Sequence, residues 1–300
     1  MADIYITGAK GFIGKNLIKK LKKSDSLHRI RPISHGLNYV EGGHIHSDYE
    51  DIEYLQRQID YKNYNILVNC AFYMPAKYAD IDPDRELYNK NKDIVDFLVE
   101  SFIGTADLRI INISSVDVYG CGKKKLIGIN EFSPLIIDDY YSRAQDYQER
   151  TFRINFRHTI DLRMSLVYGK EKEKETFLEE AVKKAVNNED IPIIGKGDST
   201  RDYVYVKDVV NVINHFIEKS SIGKDKYNLT SGNVIKTKKL AENIIEVFDS
   251  KSEIKKVEGE ERPSTSFDSG KLKRETGINF KTPKEAISEL KDYYIEKYKK

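Results

Sequence analysis

The chain is poor in cysteine. Only Cys70 and Cys121 occur in 300 residues, and their spacing suits no metal site. Cys70 lies in an apolar run and reads as a buried small hydrophobe. Charge imbalance is also missing: 50 Lys and Arg face 48 Asp and Glu, a net charge of +2. That balance argues against nucleic acid or an anionic membrane as partner. No apolar stretch approaches the roughly 18 residues of a membrane span, and the first residues enter a strand without a signal-peptide core. A reducing cytosol, and hence a cytoplasmic location, is the expectation. Internal repeats and low-complexity linkers are absent as well.

What remains is 39% hydrophobic and 33% charged, the balance of a globular protein with a heavily charged surface. The length suits one large α/β domain or two intimately packed ones. Lys19-Lys20, Lys22-Lys23 and Lys123-Lys124-Lys125 read as solvated faces rather than phosphate tracks.

The stretch Thr7-Gly8-Ala9-Lys10-Gly11-Phe12-Ile13-Gly14 follows the apolar Ile4-Tyr5-Ile6 and leads into Leu17, Ile18 and Leu21 at helical spacing. Strand, glycine turn and helix are the natural reading. Glycines three apart let a diphosphate approach the backbone and meet the amides of the following helix. A tight turn closing any strand–helix unit would show the same pattern.

Behind it, strand and helix signals alternate. Strands are expected at about Arg29 to Ser34, Asn65 to Ala71, Leu108 to Ile113 and His158 to Met164. Helices are marked by Ile94, Phe97 and Leu98, and by Tyr141 to Phe156. Such alternation predicts an α/β fold whose parallel sheet carries helices on both faces, with ligands beyond the carboxyl ends of its strands. The second half is less regular. A helix near Phe177 to Val186 precedes Ile191 to Ile194 and the polar turn Gly195-Lys196-Gly197-Asp198. A strand and helix follow from Asp202 to Glu218, and Ala286, Ile287, Leu290 and Tyr294 form a late helical stripe.

In their order these residues resemble the extended short-chain dehydrogenase/reductases that act on nucleotide sugars, the epimerase/dehydratase group. The resemblance covers nearly the whole chain. It rests on Thr7-Gly8-x-x-Gly11-x-x-Gly14, Ser114-Ser115-Val116-Asp117-Val118-Tyr119-Gly120, and Gly195 through Val209. Arg163 with Val167-Tyr168-Gly169, Tyr227-Asn228-Leu229 with Gly232, and Arg262-Pro263 with Asp268 continue it. It implies a Rossmann-type doubly wound sheet over residues 1–165 and about 204–230. A smaller interleaved nucleotide-sugar lobe would span about 166–203 and 231–300. It implies cofactor contacts from Gly8, Lys10, Gly11, Phe12, Ile13 and Gly14, from Asp48 and Tyr49 at the adenine, and from Cys70, Ala71 and Asn91. Tyr141, Ser115 and Asp117 would face the substrate, and Arg201 and Arg262 would clamp its diphosphate. An Arg201–Asp202 pair and a turn role for Ser115 are the plainer alternatives. Asp208 reads as a helix cap. A homodimer through the helices near Asn91 and Tyr141 is implied too.

The chain departs from the family pattern in three places. Tyr-x-x-x-Lys-x-x-x-Glu fits best on Tyr141 and Glu149, which places Gln145 where the lysine belongs. A neutral amide can bond a ribose hydroxyl but brings no charge to lower a phenol near pKa 10. Arg143 lies on another helix face. The first acid of the dehydratase pair is Val116, which disfavours dehydration. Ser34, followed by His35 and with Arg31 nearby, replaces the acid that would bind an adenosine ribose. NADP is therefore favoured mildly over NAD. The leading expectation is an NAD(P)-dependent reductase of a 4-keto sugar nucleotide. A 4-epimerase with retained cofactor, and a non-catalytic nucleotide-sugar or dinucleotide binder, are the alternatives.

Overall fold

The computed structural model describes residues 2–24, 27–74, 83–105, 107–121, 124–173 and 175–299 (backbone alone at 83 and 84). Lys123 of the lysine run lies outside them. In chain order the first elements are β1 (Ala2–Thr7), α1 (Phe12–Lys23), β2 (Arg29–His35), β3 (Tyr39–Glu41), β4 (His44–Ser47), α2 (Ile52–Gln58), β5 (Tyr64–Asn69), α3 (Pro83–Phe102) and β6 (Arg109–Ser115). A short turn of 3-10 helix (Val116–Tyr119), β7 (Leu126–Ile129), α4 (Tyr140–Asn155), β8 (His158–Met164), β9 (Leu166–Tyr168), α5 (Phe177–Val186), β10 (Ile191–Ile194) and β11 (Thr200–Tyr205) follow. The remainder is α6 (Val206–Glu218), β12 (Lys224–Leu229), β13 (Val234–Lys236), α7 (Thr237–Phe248), β14 (Ile254–Val257), β15 (Thr265–Phe267), α8 (Gly270–Thr276), α9 (Pro283–Glu289) and α10 (Lys291–Tyr298).

The main sheet has eight strands in the order β12-β8-β6-β5-β1-β2-β4-β3. β1 pairs in parallel with β2 on one side and β5 on the other, and β5 with β6. The chain thus leaves β1 in opposite directions, and the crevice of a doubly wound sheet opens beyond the carboxyl ends of β1 and β5. Both faces are covered, so β1 is buried at all six positions. Tyr5, Leu67, Ile110, Phe102 and Phe152 share one core cluster, with Tyr5 edge-on to Phe102 at 5.3 Å.

Several boundaries differ from the sequence reading. β5 ends at Asn69, so Cys70 and Ala71 belong to the extended segment beyond it, and Cys70 is only partly covered. The hairpin of β3 and β4 extends the sheet edge where no strand was expected; β4 runs parallel to β2 and β3 antiparallel to β4. The late stripe belongs to two helices, because Leu290 separates α9 from α10.

The chain forms two compact units. The first holds Met1–Gly120, Pro134–Arg163 and Val210–Tyr227; the second holds Cys121–Ser133, Met164–Val209 and Asn228–Lys300. Within the second, β10 pairs with β14, β11 lies between β13 and β9, and β7 pairs with β15. Among the described residues no helix is long and apolar enough to cross a membrane, and no cluster of His, Cys, Asp and Glu could hold a metal ion.

Candidate active site

The glycine turn is shaped by close approach. Gly8 has φ +61°, and a Cβ there would lie 2.5 Å from the Cys70 carbonyl oxygen. A Cβ on Gly14 would lie 2.3 Å from the Gly8 oxygen. Neither position admits a side chain without moving backbone. The Gly11 amide donates to the Gly8 carbonyl at 2.8 Å. α1 then starts from Gly11 with no side-chain cap, which leaves its first amides open to an anion. Gly11 and Lys10 are exposed, and Phe12 and Ile13 are half-buried. A dinucleotide diphosphate fits this turn on the sterics of its own glycines.

A buried polar ladder crosses the strand ends next to it. Thr7 Oγ1 donates to Asn69 Oδ1 at 2.6 Å, Asn69 Nδ2 to Asn112 Oδ1 at 3.1 Å, and Asn112 Nδ2 to Asp161 Oδ1 at 2.8 Å. All four residues are fully buried, and Gln148 Nε2 also donates to Asn112 Oδ1. The amides of Cys70 and Ala71 both donate to Thr7 Oγ1 at 3.2 Å. Asn91 takes the Tyr73 amide at 2.8 Å and donates to the Tyr73 carbonyl at 3.0 Å. Thr7 and Asn91 therefore hold the Cys70–Tyr73 segment from two sides. Asn91 Nδ2 also donates to the Leu87 carbonyl at 2.7 Å, which ties that segment to α3. The ladder was not foreseen, since isolated Thr and Asn at strand ends read as turn residues.

Beyond β6 and α4 stand the reactive candidates. The Tyr141 phenol neighbours the Ser115 hydroxyl and the Gln145 side chain. Phe72 packs edge-on to its ring at 5.2 Å. Burial, reinforced by the nearby Asp117 carboxylate, pushes the Tyr141 phenol up to about 12. Ser115 Oγ donates to Asp117 Oδ2 at 3.0 Å and accepts the Asp117 amide at 3.1 Å. The turn role and the site role of Ser115 thus coexist. Gln145 is 4% exposed, and its Oε1 is buried without a protein partner. An orphaned acceptor beside the phenol suits a ribose hydroxyl, since an unmet buried carbonyl is costly. Arg143 is exposed and its guanidinium lies over Tyr140, 5.4 Å from the ring centroid, so it gives Tyr141 no contact.

α4 is held by charge. Glu149, fully buried, accepts Arg163 Nε at 2.8 Å, Arg163 Nη2 at 2.6 Å and Ser114 Oγ at 2.6 Å. Arg163 also donates to the Tyr119 hydroxyl at 2.8 Å. Arg153 bridges Glu149 and Asp161 at 3.2 and 3.1 Å. Burial first, and Glu149 second, raise the Asp161 carboxyl above its usual range.

At the other strand ends, Ser34 is buried and its Oγ lies 2.9 Å from His44 Nε2. Arg31 shares a strand face with Ile33 and not with Ser34, by the two-residue alternation of β2. His35 stacks on Tyr49 at 6.1 Å. Tyr49 adopts φ +61°, and its buried hydroxyl lies near the Gly8 amide. Asp48 accepts the amides of Glu50 at 2.9 Å and Asp51 at 3.1 Å, which hold its carboxyl below the usual range; it serves the turn into α2.

In the second unit, Arg201 Nη1 donates to the carbonyls of Thr200 and Pro263, both at 2.7 Å. Asp202 faces away and accepts Ser165 Oγ at 3.0 Å and the amides of Ser231 and Gly232 at 2.8 and 2.7 Å. No Arg201–Asp202 pair forms. Burial lowers the Arg201 guanidinium pKa, and the charge of Arg262 adds to the effect. Arg262 is exposed. Among the described residues neither arginine has a carboxylate partner. Glu261, unremarked in the sequence, accepts the amides of Lys196, Gly197 and Ser199 and so shapes the turn before Arg201. Asp208 is not a cap: it lies in the first turn of α6 and accepts the Lys281 amide at 2.9 Å.

A doubly wound sheet with a glycine turn at its switch point, and a serine–tyrosine pair from the end of β6 and the start of α4, defines an extended short-chain dehydrogenase/reductase. Residues 4–230 match the model of the NAD dependent epimerase/dehydratase family, and the chain belongs to it. It is 24% identical over 282 residues to the low-salt glycan biosynthesis protein Agl12 of Haloferax volcanii, covering 85% of this chain and 86% of that one. It is 25% identical over 258 residues to the dTDP-4-dehydro-6-deoxyglucose reductase of Escherichia coli, covering 80% of each. The fold is similar to that of dTDP-glucose 4,6-dehydratase from Bacillus anthracis in complex with NAD, with a TM-score of 0.81 at 20% identity, covering 99% of this chain and 97% of that one.

Proposed function

We propose that this chain reduces the 4-keto group of a sugar nucleotide with NAD(P)H. The observation that carries the reading is the state of Tyr141: burial and Asp117 raise it to about 12, and Gln145 brings no charge to bring it down. A phenol so placed is an acid at neutral pH. It suits a step that delivers a proton to a carbonyl oxygen and suits poorly one that must first remove a hydroxyl proton. The bound nicotinamide supplies the hydride. Ser115 orients the reacting oxygen, Tyr141 protonates it, and Gln145 Oε1 accepts a ribose hydroxyl. Arg201 and Arg262, two cations without carboxylate partners among the described residues, hold the diphosphate. Val116 in place of an acid supports reduction over dehydration.

NADP is the proposed cofactor, since Ser34 removes the carboxylate that would repel a 2′-phosphate. A homodimer on α3 and α4, acting in the cytosol, completes the reading.

Mixing the protein with reduced cofactor and a panel of 4-keto sugar nucleotides, while following nicotinamide absorbance, tests it. Net oxidation of the cofactor is expected. Interconversion of sugars without net oxidation would make it a 4-epimerase, and binding without either would make it a binding protein.

A further inference from the structure

We propose that Ser34, His44 and Lys10 form a 2′-phosphate pocket for NADP, with His44, supplied by the β3–β4 hairpin, as the discriminating side chain. The inference rests on the dinucleotide reading and adds to it a residue that the sequence motif does not contain.

Four observations converge. Adenosine riboses in doubly wound sheets lie beyond the end of β2, where a carboxylate normally takes the 2′-hydroxyl. Here that position is Ser34, buried to 3% exposure, with His44 Nε2 2.9 Å from its hydroxyl. The hairpin that brings His44 there is paired to β2 in parallel, with Ser34 opposite His46. The His44 and His46 rings stack at 4.6 Å, and Tyr39 stacks on His46 at 4.1 Å. His44 is therefore held in place by packing.

The charges facing His44 come from several elements: Lys10 of the glycine turn, Lys22 of α1, His46 of β4 and Glu41 of β3. Burial, then His46 and the two lysines, hold the His44 imidazole below its usual range, and Glu41 opposes them. His44, in contact with the Ser34 hydroxyl, thus sits among two lysines and a second imidazole against one carboxylate, an environment for an anion. A 2′-phosphate offers three acceptor oxygens and a charge of about −2 to these donors, whereas a 2′-hydroxyl offers one oxygen and no charge.

The test is direct binding of 2′,5′-ADP and of 5′-ADP to the full chain by titration calorimetry, for the wild type, His44→Gln and Ser34→Asp. The wild type should bind 2′,5′-ADP at least about tenfold more tightly. His44→Gln should lose most of that preference while its affinity for 5′-ADP stays within about twofold, and Ser34→Asp should favour 5′-ADP. The preference of the wild type should also grow from pH 8 to pH 6 more than that of His44→Gln. Equal binding of both nucleotides by the wild type overturns the proposal and leaves the dinucleotide reading standing. A full preference retained in His44→Gln removes His44 from it. Failure to bind either nucleotide overturns both readings.

Discussion

At the scale of single residues, the proposed reduction assigns the direction of the chemistry to Gln145. With the phenol raised to about 12, Tyr141 stays protonated across the ordinary working range. An acid is lost only as pH rises through its pKa, so kcat for reduction should show no falling limb from Tyr141 between pH 6 and 10. A limb near neutrality in a pH–rate profile would mean that a positive charge reaches the phenol after all. Gln145→Lys supplies such a charge. It should lower the tyrosine and raise the rate of the oxidative direction by at least about tenfold, within the usual reach of acid–base catalysis. No gain in either direction would remove Gln145 from the argument. Ser115→Ala should reduce kcat by about a hundredfold, the scale of one lost hydrogen bond to a reacting oxygen.

At the scale of elements, the glycine turn and α4 are held by different means. Gly14→Ala forces a Cβ against the Gly8 carbonyl and should cost about 1–3 kcal/mol by overpacking, measurable in denaturant unfolding together with weaker cofactor binding. Arg163→Leu leaves Glu149 buried beside Ser114 without its bidentate partner. Loss of one side of a buried pair costs about 3–5 kcal/mol, and a drop in melting temperature should accompany loss of activity as α4 shifts. An unchanged melting temperature would show that Arg153 alone suffices for Glu149.

The elements differ in how plainly the sequence announces them. β1, β5, β6 and β8 are visible because strands covered on both faces read as apolar runs. The β3–β4 hairpin is not, since Tyr39, Val40 and Glu41 are all exposed and His44-Ile45-His46-Ser47 carries one aliphatic residue. That hairpin is where His44 resides. The site shows the same split. Gly8, Gly11, Gly14, Tyr141 and Gln145 stand at motif spacing, but the Thr7–Asn69–Asn112–Asp161 ladder joins four strands whose residues are scattered over the sequence. The resemblance names Tyr49 and Asn91, yet the hold of Asn91 on the Tyr73 amide and the positive φ of Tyr49 depend on tertiary placement. Asp48 likewise spends its carboxylate on local amides, which no spacing reveals.

For the whole molecule, the account requires a dinucleotide, a sugar nucleotide and one transfer between them. Saturating NADPH should stabilise the protein against thermal unfolding by about 2.7 kcal/mol at a hundredfold excess over Kd, read as a melting shift. The decisive measurement uses NADPH deuterated at the transferable nicotinamide position with a 4-keto sugar nucleotide, and locates the label in the product by mass spectrometry and NMR. The account predicts one deuterium at carbon 4 of the sugar for each cofactor oxidised. A sugar that is bound and left unlabelled, with the cofactor still reduced, would contradict it.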